Sequence, residues 1–230
     1  MLSTRQYAKK VISEKKMIDI PEAFAIELIK ADPWVLEYLE NQNEAICLEA
    51  VKGHTDTLQF VRDQTDAICW AALNKYSCAL EYIRNQTEAM CLFVIRLSGL
   101  NVKYVVDPNE TICWAALRKN SRAIQYIKKP TEAMCLFAVR DDGYNLMFIK
   151  NQTQEMCLIA VRHNGMNLKY VIKQTFDVCI AAIMQRSDAM KYVKLDLKKE
   201  RKERIRQLTQ QICDLSTQLN NVVKLDISSN

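Results

Sequence analysis

Apolar and polar positions along this chain follow one pattern that recurs every 22 residues. In residues 85–106, a representative repeat, apolar side chains fall three and four positions apart, which is the spacing of one helix face. Thr87 precedes them as a candidate N-cap, and Glu88 follows where an acid suits the helix dipole. The pattern predicts that each repeat begins with a short amphipathic α-helix.

A second apolar cluster closes each repeat and contains an aromatic residue, such as Tyr104. Gly99, Gly143 and Gly165 share the position between the two clusters, where glycine predicts a left-handed helix end. Strands are the rival interpretation of the second cluster, but the Leu and Asn pattern of leucine-rich repeats is absent. Two short helices joined by a tight turn fit the pattern better.

Seven cysteines fix the period, because each follows the previous one after 22 residues. They are Cys47, Cys69, Cys91, Cys113, Cys135, Cys157 and Cys179. Ala25 takes the same position one repeat earlier, so the array spans residues 19–194 as eight repeats. A repeat this short cannot bury its own apolar face and must stack against neighbours. We predict an all-α fold, a right-handed α-solenoid of about eight helix-turn-helix repeats.

The repeat motif resembles a known family. Residues 86–92 read QTEAMCL, residues 130–136 read PTEAMCL, and Ala-Val-Arg follows at 138–140. This motif is similar to an uncharacterised short-repeat family, a domain of unknown function, that is abundant in giant DNA viruses of amoebae and occurs in some bacteria. The resemblance covers the array. It implies such an origin and work inside a host cell, in the cytoplasm or a viral factory, and it assigns no catalytic residue or cofactor.

Two segments flank the array. Residues 1–18 contain five basic residues and one acidic residue, and we predict a basic N-terminal helical cap there. Residues 195–230 form a basic amphipathic helix with a heptad seam, whose members are Ile205, Leu208, Ile212, Leu215, Leu219 and Val222. The seam fits a short parallel coiled coil, which would make a homodimer, or a helix that covers the open end of the array. We favour the covering helix.

The composition excludes several classes of protein. Hydrophobic residues make up 49% of the chain and charged residues 26%, which excludes an intrinsically disordered chain. No run of 18 apolar residues occurs, so we predict no membrane span. The N-terminal residues lack the apolar run of a secretory signal, so we expect a cytoplasmic protein.

Residues typical of catalysis are scarce. The two histidines, His54 and His163, have no nucleophile motif beside them. One cysteine per repeat places neighbouring thiols about 8–10 Å apart, too far for a shared zinc site or a disulfide. We predict no catalytic residue, no metal and no cofactor, and we interpret the cysteines as buried packing. We call the seven cysteines with the 22-residue period the cysteine ladder. Cys78 and Cys213 do not belong to it and should be more accessible.

Two further ladders are candidate binding surfaces. A basic rim closes the first helix at Lys30, Lys52, Arg96, Arg118, Arg140 and Arg162. It could track phosphates, but we favour cations that complement helix dipoles. An aromatic ladder recurs at Tyr38, Phe60, Tyr82, Tyr104, Tyr126, Phe148, Tyr170 and Tyr192. It could stack nucleic-acid bases, but we favour core-like packing between the second helices, with each tyrosine hydroxyl at the edge.

The net charge of the chain is +5, but the two halves of the array have opposite net charges. Residues 19–106 contain 7 basic and 13 acidic residues, a net charge of −6, whereas residues 107–194 contain 13 basic and 8 acidic residues, a net charge of +5. Our leading hypothesis is a non-enzymatic scaffold for protein partners. The alternatives are binding of RNA through the basic second half, and a structural component that forms oligomers.

Overall fold

The computed structural model describes residues 20–228, with side chains as far as residue 216. Eight successive repeats each contain a ten-residue α-helix followed by a six-residue 3-10 helix, and no strand occurs between residues 20 and 228. The predicted all-α solenoid of 22-residue repeats is therefore confirmed. The N-terminal cap that we predict for residues 1–18 lies outside the described residues.

The α-helices of the repeats are α1 (Glu22–Ala31), α2 (Glu44–Gly53), α3 (Asp66–Lys75), α4 (Glu88–Leu97), α5 (Glu110–Lys119), α6 (Glu132–Asp141), α7 (Gln154–His163) and α8 (Phe176–Gln185). The 3-10 helices are η1 (Pro33–Tyr38), η2 (Thr55–Phe60), η3 (Ser77–Tyr82), η4 (Gly99–Tyr104), η5 (Ser121–Tyr126), η6 (Gly143–Phe148), η7 (Gly165–Tyr170) and η8 (Ser187–Tyr192). A longer helix, α9 (Leu197–Ser228), follows the last repeat.

Side-chain caps start the α-helices where the sequence predicts them. The Thr87 hydroxyl accepts a hydrogen bond from the Met90 amide at 3.3 Å, and the Asn43 side chain accepts one from the Ile46 amide at 2.9 Å. The same position caps α3 and α5 to α8. Each cap satisfies an amide that the first helical turn leaves unpaired, which is worth about 1 kcal/mol.

The turn between the two helices of a repeat differs from the prediction. No described glycine has a positive φ, so Gly99, Gly143 and Gly165 do not form left-handed helix ends. Instead one extended residue ends the α-helix, as Ser98 does at a φ of −154°, and the 3-10 helix begins at the next residue. The predicted tight turn is a single extended residue.

These glycines are needed because the next repeat approaches closely. A Cβ on Gly99 would collide with the Ala116 carbonyl oxygen and would lie 2.9 Å from the Asn120 amide nitrogen. A Cβ on Gly143 would lie 2.9 Å from the Ala160 carbonyl oxygen. Glycine at this position therefore sets how tightly one α-helix packs on the 3-10 helix of the preceding repeat.

Contacts divide the chain into two compact units, residues 1–134 and residues 135–230, which we call unit one and unit two. Within each unit the α-helices of neighbouring repeats pack side by side, and so do the 3-10 helices. The core contains the seven ladder cysteines and an apolar residue from most 3-10 helices, such as Leu80 and Leu168. Ala25 in the cysteine position is also buried, which confirms the register of the first repeat.

A glutamine before the N-cap joins successive repeats. The Gln86 side-chain amide donates to the carbonyl oxygens of Leu80 at 2.8 Å and Tyr104 at 2.9 Å. Its own oxygen accepts a hydrogen bond from the Val106 amide at 2.8 Å. Because Leu80 lies in η3 and Tyr104 in η4, one side chain connects two 3-10 helices. We call this arrangement the glutamine clamp; Gln64, Gln152 and Gln174 form it as well.

Proline replaces the glutamine of the clamp at the start of repeats five and six, at Pro108 and Pro130. Proline cannot make the side-chain bonds of the clamp. Tyr126, whose carbonyl oxygen stands where the clamp of repeat five would bind, is 38% exposed, more than any other member of the aromatic ladder. Asp107, immediately before Pro108, has a positive φ of 54°. Loss of the clamp does not by itself expose the ladder, since Phe148, which Pro130 leaves without a clamp, is half-buried.

Candidate functional site

One aromatic residue closes each 3-10 helix near the protein surface. Tyr126 is exposed and the other seven members of the ladder are half-buried. The half-burial of seven rings agrees with the favoured interpretation, in which the rings pack between second helices and reach the edge, whereas Tyr126 is exposed. The glutamine clamp positions this part of the backbone, because it binds the carbonyl oxygens of Tyr82, Tyr104, Tyr170 and Tyr192.

In unit two the surface residues of η6 to η8 form a patch of rings and cations. The Tyr144 ring lies 6.3 Å from the Phe148 ring and 5.2 Å from the Tyr170 ring, edge-on in both cases. The Lys169 ammonium lies 4.6 Å from the Tyr170 ring centroid, and the Lys191 ammonium lies 5.2 Å from the Tyr192 ring centroid. We call these six residues the aromatic patch: Tyr144, Phe148, Lys169, Tyr170, Lys191 and Tyr192.

The electrostatic surroundings of the ladder tyrosines differ between repeats, and in unit one Lys103 lies 4.6 Å from the Tyr104 ring centroid, as Lys169 does from Tyr170 in unit two. In unit two the Lys169 side chain, hydrogen-bonded to the Tyr170 hydroxyl, lowers the pKa of Tyr170. In unit one burial raises the pKa of Tyr82, and the carboxylates of Asp56 and Glu81 raise this pKa further. The same ladder position therefore faces a cation in repeat seven and carboxylates in repeat three.

The basic rim lies in the last turns of the α-helices, and all six of its side chains are exposed. Arg140 forms an ion pair with Glu155 at 2.9 Å, and the Arg118 guanidinium lies 5.8 Å from the centroid of the Trp114 ring. Cations at helix C-termini are stabilised by the helix dipole without any ligand. The structure thus places the rim at the surface, where Arg118 and Arg140 already contact other side chains.

Arginines that follow the 3-10 helices bind backbone in unit one. The Arg84 guanidinium donates to the carbonyl oxygens of Val61 at 2.8 Å and Arg62 at 2.9 Å. The Arg62 guanidinium donates to the Glu40 carbonyl oxygen at 2.6 Å. These two arginines link one repeat to the preceding one, so their charges do not point to a phosphate ligand.

The interpretation of the ladder cysteines as buried packing is confirmed. All seven are free thiols and buried, whereas Cys78 is half-buried and Cys213 is exposed. Burial raises the pKa of the Cys47 thiol to about 11, and nearby Asp63 and Glu44 contribute to this shift. The Cys179 sulfur lies 3.5 Å from the side-chain oxygen of Gln174, so the cysteine ladder adjoins the glutamine clamp.

We expect thiol reagents to distinguish Cys213 from the ladder. In native protein at mildly alkaline pH, N-ethylmaleimide should label Cys213 first and Cys78 more slowly. The ladder thiols should react only after unfolding, because all seven are buried. Mass spectrometry of proteolytic peptides measures this order. Equal labelling of Cys213 and Cys157 in native protein would contradict a buried ladder.

The raised thiol pKa values also predict a loss of stability at alkaline pH. The pKa of Cys47 rises from 9.0 to about 11 on folding, so between these values the unfolded chain has lost a proton that the folded chain keeps. The free energy of unfolding should therefore fall as the pH rises through this window. Urea unfolding at several pH values measures the slope. Cys47→Ala, which restores the residue type found at Ala25, should reduce the slope; an unchanged slope would contradict this account.

Helix α9 exposes the described part of the heptad seam. Ile205, Leu208, Ile212 and Leu215 are 53%, 46%, 66% and 65% exposed, respectively. The remaining members, Leu219 and Val222, lie outside the residues whose side chains are described. The interpretation that the seam covers the end of the array is therefore wrong for its described residues, which face solvent.

Among the described side chains, those of residues 20–216, no group of three His, Cys, Asp or Glu could hold a metal ion. The His54 ring packs against Trp34 with 4.9 Å between centroids, and His163 is exposed at the end of α7. None of the helices described is both long and apolar enough to cross a bilayer. The absence of catalytic and cofactor chemistry stays a prediction.

No family model, no curated protein and no solved structure matches this chain. The resemblance to the short-repeat family of giant viruses therefore stays a prediction from the repeat motif. Function has to be argued from the arrangement of the side chains themselves.

Proposed function

We propose that this protein is a non-enzymatic scaffold that binds protein partners inside a host cell, with the aromatic patch of unit two as its docking site. The observation that carries the proposal is the half-exposed aromatic ladder, with lysines stacked on Tyr170 and Tyr192. Aromatic residues are enriched in protein interfaces because they bury a large area at a low cost in side-chain entropy. Tyrosine also keeps a hydroxyl that can bind a partner or water.

The chemistry around the patch fits an acidic segment of the partner. Residues 107–194 carry a net charge of +5, and Lys169 and Lys191 stand over the patch. Met147 and Met190, in the same 3-10 helices, are 40% and 54% exposed and offer adaptable apolar contacts. A segment with carboxylates beside apolar side chains matches both the charge and the apolar surface of the patch.

Single-stranded RNA is the alternative ligand, and the exposed cations of Arg162 and the rest of the basic rim favour it. Non-specific binding of RNA uses base stacking on aromatic rings. In the aromatic patch, however, a lysine already lies over the rings of Tyr170 and Tyr192, and Tyr144 packs edge-on against its neighbours. The arrangement therefore supports a protein segment better than stacked bases.

A random peptide library displayed on phage and selected on the full chain tests the proposal. We expect the enriched peptides to combine acidic and apolar residues. A selected peptide carrying a fluorophore then gives affinities by fluorescence polarisation. The double substitution Lys169→Glu and Lys191→Glu should weaken its binding about tenfold or more, because it replaces attraction by repulsion. No enrichment, or unchanged binding by this variant, would contradict the proposal.

Tyr170→Ala and Tyr82→Ala form a matched pair, since both remove a half-buried ring from the same ladder position. Only Tyr170 lies in the aromatic patch, so Tyr170→Ala should weaken binding of the selected peptide about tenfold while Tyr82→Ala leaves it unchanged. An oligouridine probe in the same assay tests the alternative. If that RNA binds in a salt-sensitive manner and the phage selection enriches no peptide, the ligand is RNA and not a protein.

A further inference from the structure

Helix α9 differs from every helix of the array. It has 32 residues where the α-helices of the repeats have ten, and its residues 198–216 are exposed. Along it, apolar residues alternate three and four positions apart from Ile205 to Val222. At a rise of 1.5 Å per residue this seam is about 27 Å long. Burial of this exposed apolar seam against another helix would be favourable.

The last repeat does not occupy the seam. The side of α9 that faces α8 carries Arg204, which lies 4.0 Å from Asp177. Glu200, Glu203 and Gln207 line the same cleft above Phe176 and Gln174. At 3.6 residues per turn the centre of the seam lies about 110° around the helix axis from this side. The described seam residues therefore lie to the side of the face that contacts α8, and they are exposed.

The residue types in the seam indicate which kind of helix can pair with it. In heptad terms Ile205 and Ile212 take position a, and Leu208 and Leu215 take position d. Isoleucine at a with leucine at d favours a parallel coiled coil of two strands, because each side chain then fits the hole that the facing helix offers at that layer. An occupant with the same seam in the same register is a second copy of this chain.

The flanking positions permit this pairing. Gln211 and Ser216, which face each other across a parallel pair, are neutral, so two identical helices meet no like charges there. The four exposed seam residues bury roughly 100 Å² each, or roughly 800 Å² over two helices. With the flanking side chains the total reaches the size of a small stable interface, about 1,200 Å².

We infer that the full chain forms a homodimer through a parallel two-stranded coiled coil of α9, with Ile205, Leu208, Ile212 and Leu215 in its interface. The inference is independent of the docking site in unit two. Parallel pairing places the eighth repeats of both copies at the same end of the coil. The dimer would then present two docking sites and bind a partner with repeated segments more tightly than one copy does.

Light scattering coupled to size-exclusion chromatography tests the dimer on the full chain. We expect twice the mass of one chain for the unaltered protein at micromolar concentration. Ile212→Glu should give the mass of one chain with unchanged helical content, because it places carboxylates opposite each other in the interface. Gln210→Glu adds the same charge on the outer side of α9 and should leave the dimer intact. A single-chain mass for the unaltered protein, or a dimer that survives Ile212→Glu, overturns the inference.

Cross-linking tests the parallel register. In a Cys213→Ser background, Leu215→Cys should form a disulfide-linked dimer under oxidising conditions, because facing d positions are close in a parallel pair. Gln210→Cys, on the outer side, should not. Equal cross-linking by the two variants, or a three-chain mass in solution, overturns the parallel two-stranded coil.

Discussion

Gly99→Ala is expected to lower the free energy of unfolding by about 3 kcal/mol, because overpacking against rigid backbone cannot relax through a side-chain rotation. The added methyl would collide with the Ala116 carbonyl oxygen and would lie 2.9 Å from the Asn120 amide nitrogen. Both atoms belong to the backbone of the next repeat, so the repeats must separate to admit the methyl group. Urea unfolding followed by circular dichroism measures the change.

Ser77→Ala is the matched control for Gly99→Ala. Ser77 takes the same position in repeat three, where the structure already accommodates a Cβ, and it is half-buried. This substitution removes only a hydroxyl and should change the free energy of unfolding by less than about 0.5 kcal/mol. If Gly99→Ala proves as mild as Ser77→Ala, the close approach of successive repeats is wrong.

Gln86→Met is expected to lower the free energy of unfolding by about 2–3 kcal/mol, since it deprives three backbone groups of their partners at once. Methionine keeps the length of the side chain, so the loss comes from hydrogen bonding and not from a cavity. The carbonyl oxygens of Leu80 and Tyr104 and the amide of Val106 would need water instead. Urea unfolding with circular dichroism again provides the measurement.

Gln59→Met is the control for Gln86→Met, because it makes the same substitution at a glutamine outside the clamp. Gln59 is exposed, and its side chain donates one local hydrogen bond to the Asp56 carbonyl oxygen at 2.9 Å. The expected change is within about 0.5 kcal/mol, as for most surface substitutions. Equal losses for Gln86→Met and Gln59→Met would show that the clamp does not join the repeats.

The first helix of each repeat could be predicted from the sequence because its determinants are local. Thr87 caps the helix, the residues after it follow the period of a helix face, and Cys91 returns after 22 residues. The cap and the helix face depend only on residues within a single repeat, and the 22-residue period follows from comparing one repeat with the next. Register and fold class follow once neighbouring repeats are required to bury that face.

The second helix and the role of Gly99 could not be read in the same way. A six-residue apolar cluster is too short to distinguish α from 3-10 geometry, because both place a few apolar residues on one side. Local propensity relates Gly99 to its own φ, yet the atoms that demand glycine belong to Ala116 and Asn120 in the next repeat. A steric requirement that comes from another repeat cannot be predicted from the local sequence around Gly99.

The docking site, too, could be predicted from the sequence only in part. The sequence predicts that Tyr170 belongs to a regular ladder that packs between second helices, but it does not show how much of each ring is exposed. The recurrence of glutamine at Gln64, Gln86, Gln152 and Gln174 is visible in the sequence. Its meaning depends on carbonyl oxygens in two 3-10 helices, which only the folded repeats bring together.

Hydrogen–deuterium exchange of the full chain, with and without the acidic peptide selected on it, tests the docking site most directly. We predict that the peptide slows exchange in η6, η7 and η8 (Gly143–Phe148, Gly165–Tyr170 and Ser187–Tyr192) and leaves η1 to η3 unchanged, because the cationic aromatic patch lies in the first group. Slower exchange only at the ends of the α-helices beside the basic rim, or equally in all eight 3-10 helices, would contradict the aromatic patch as the docking site.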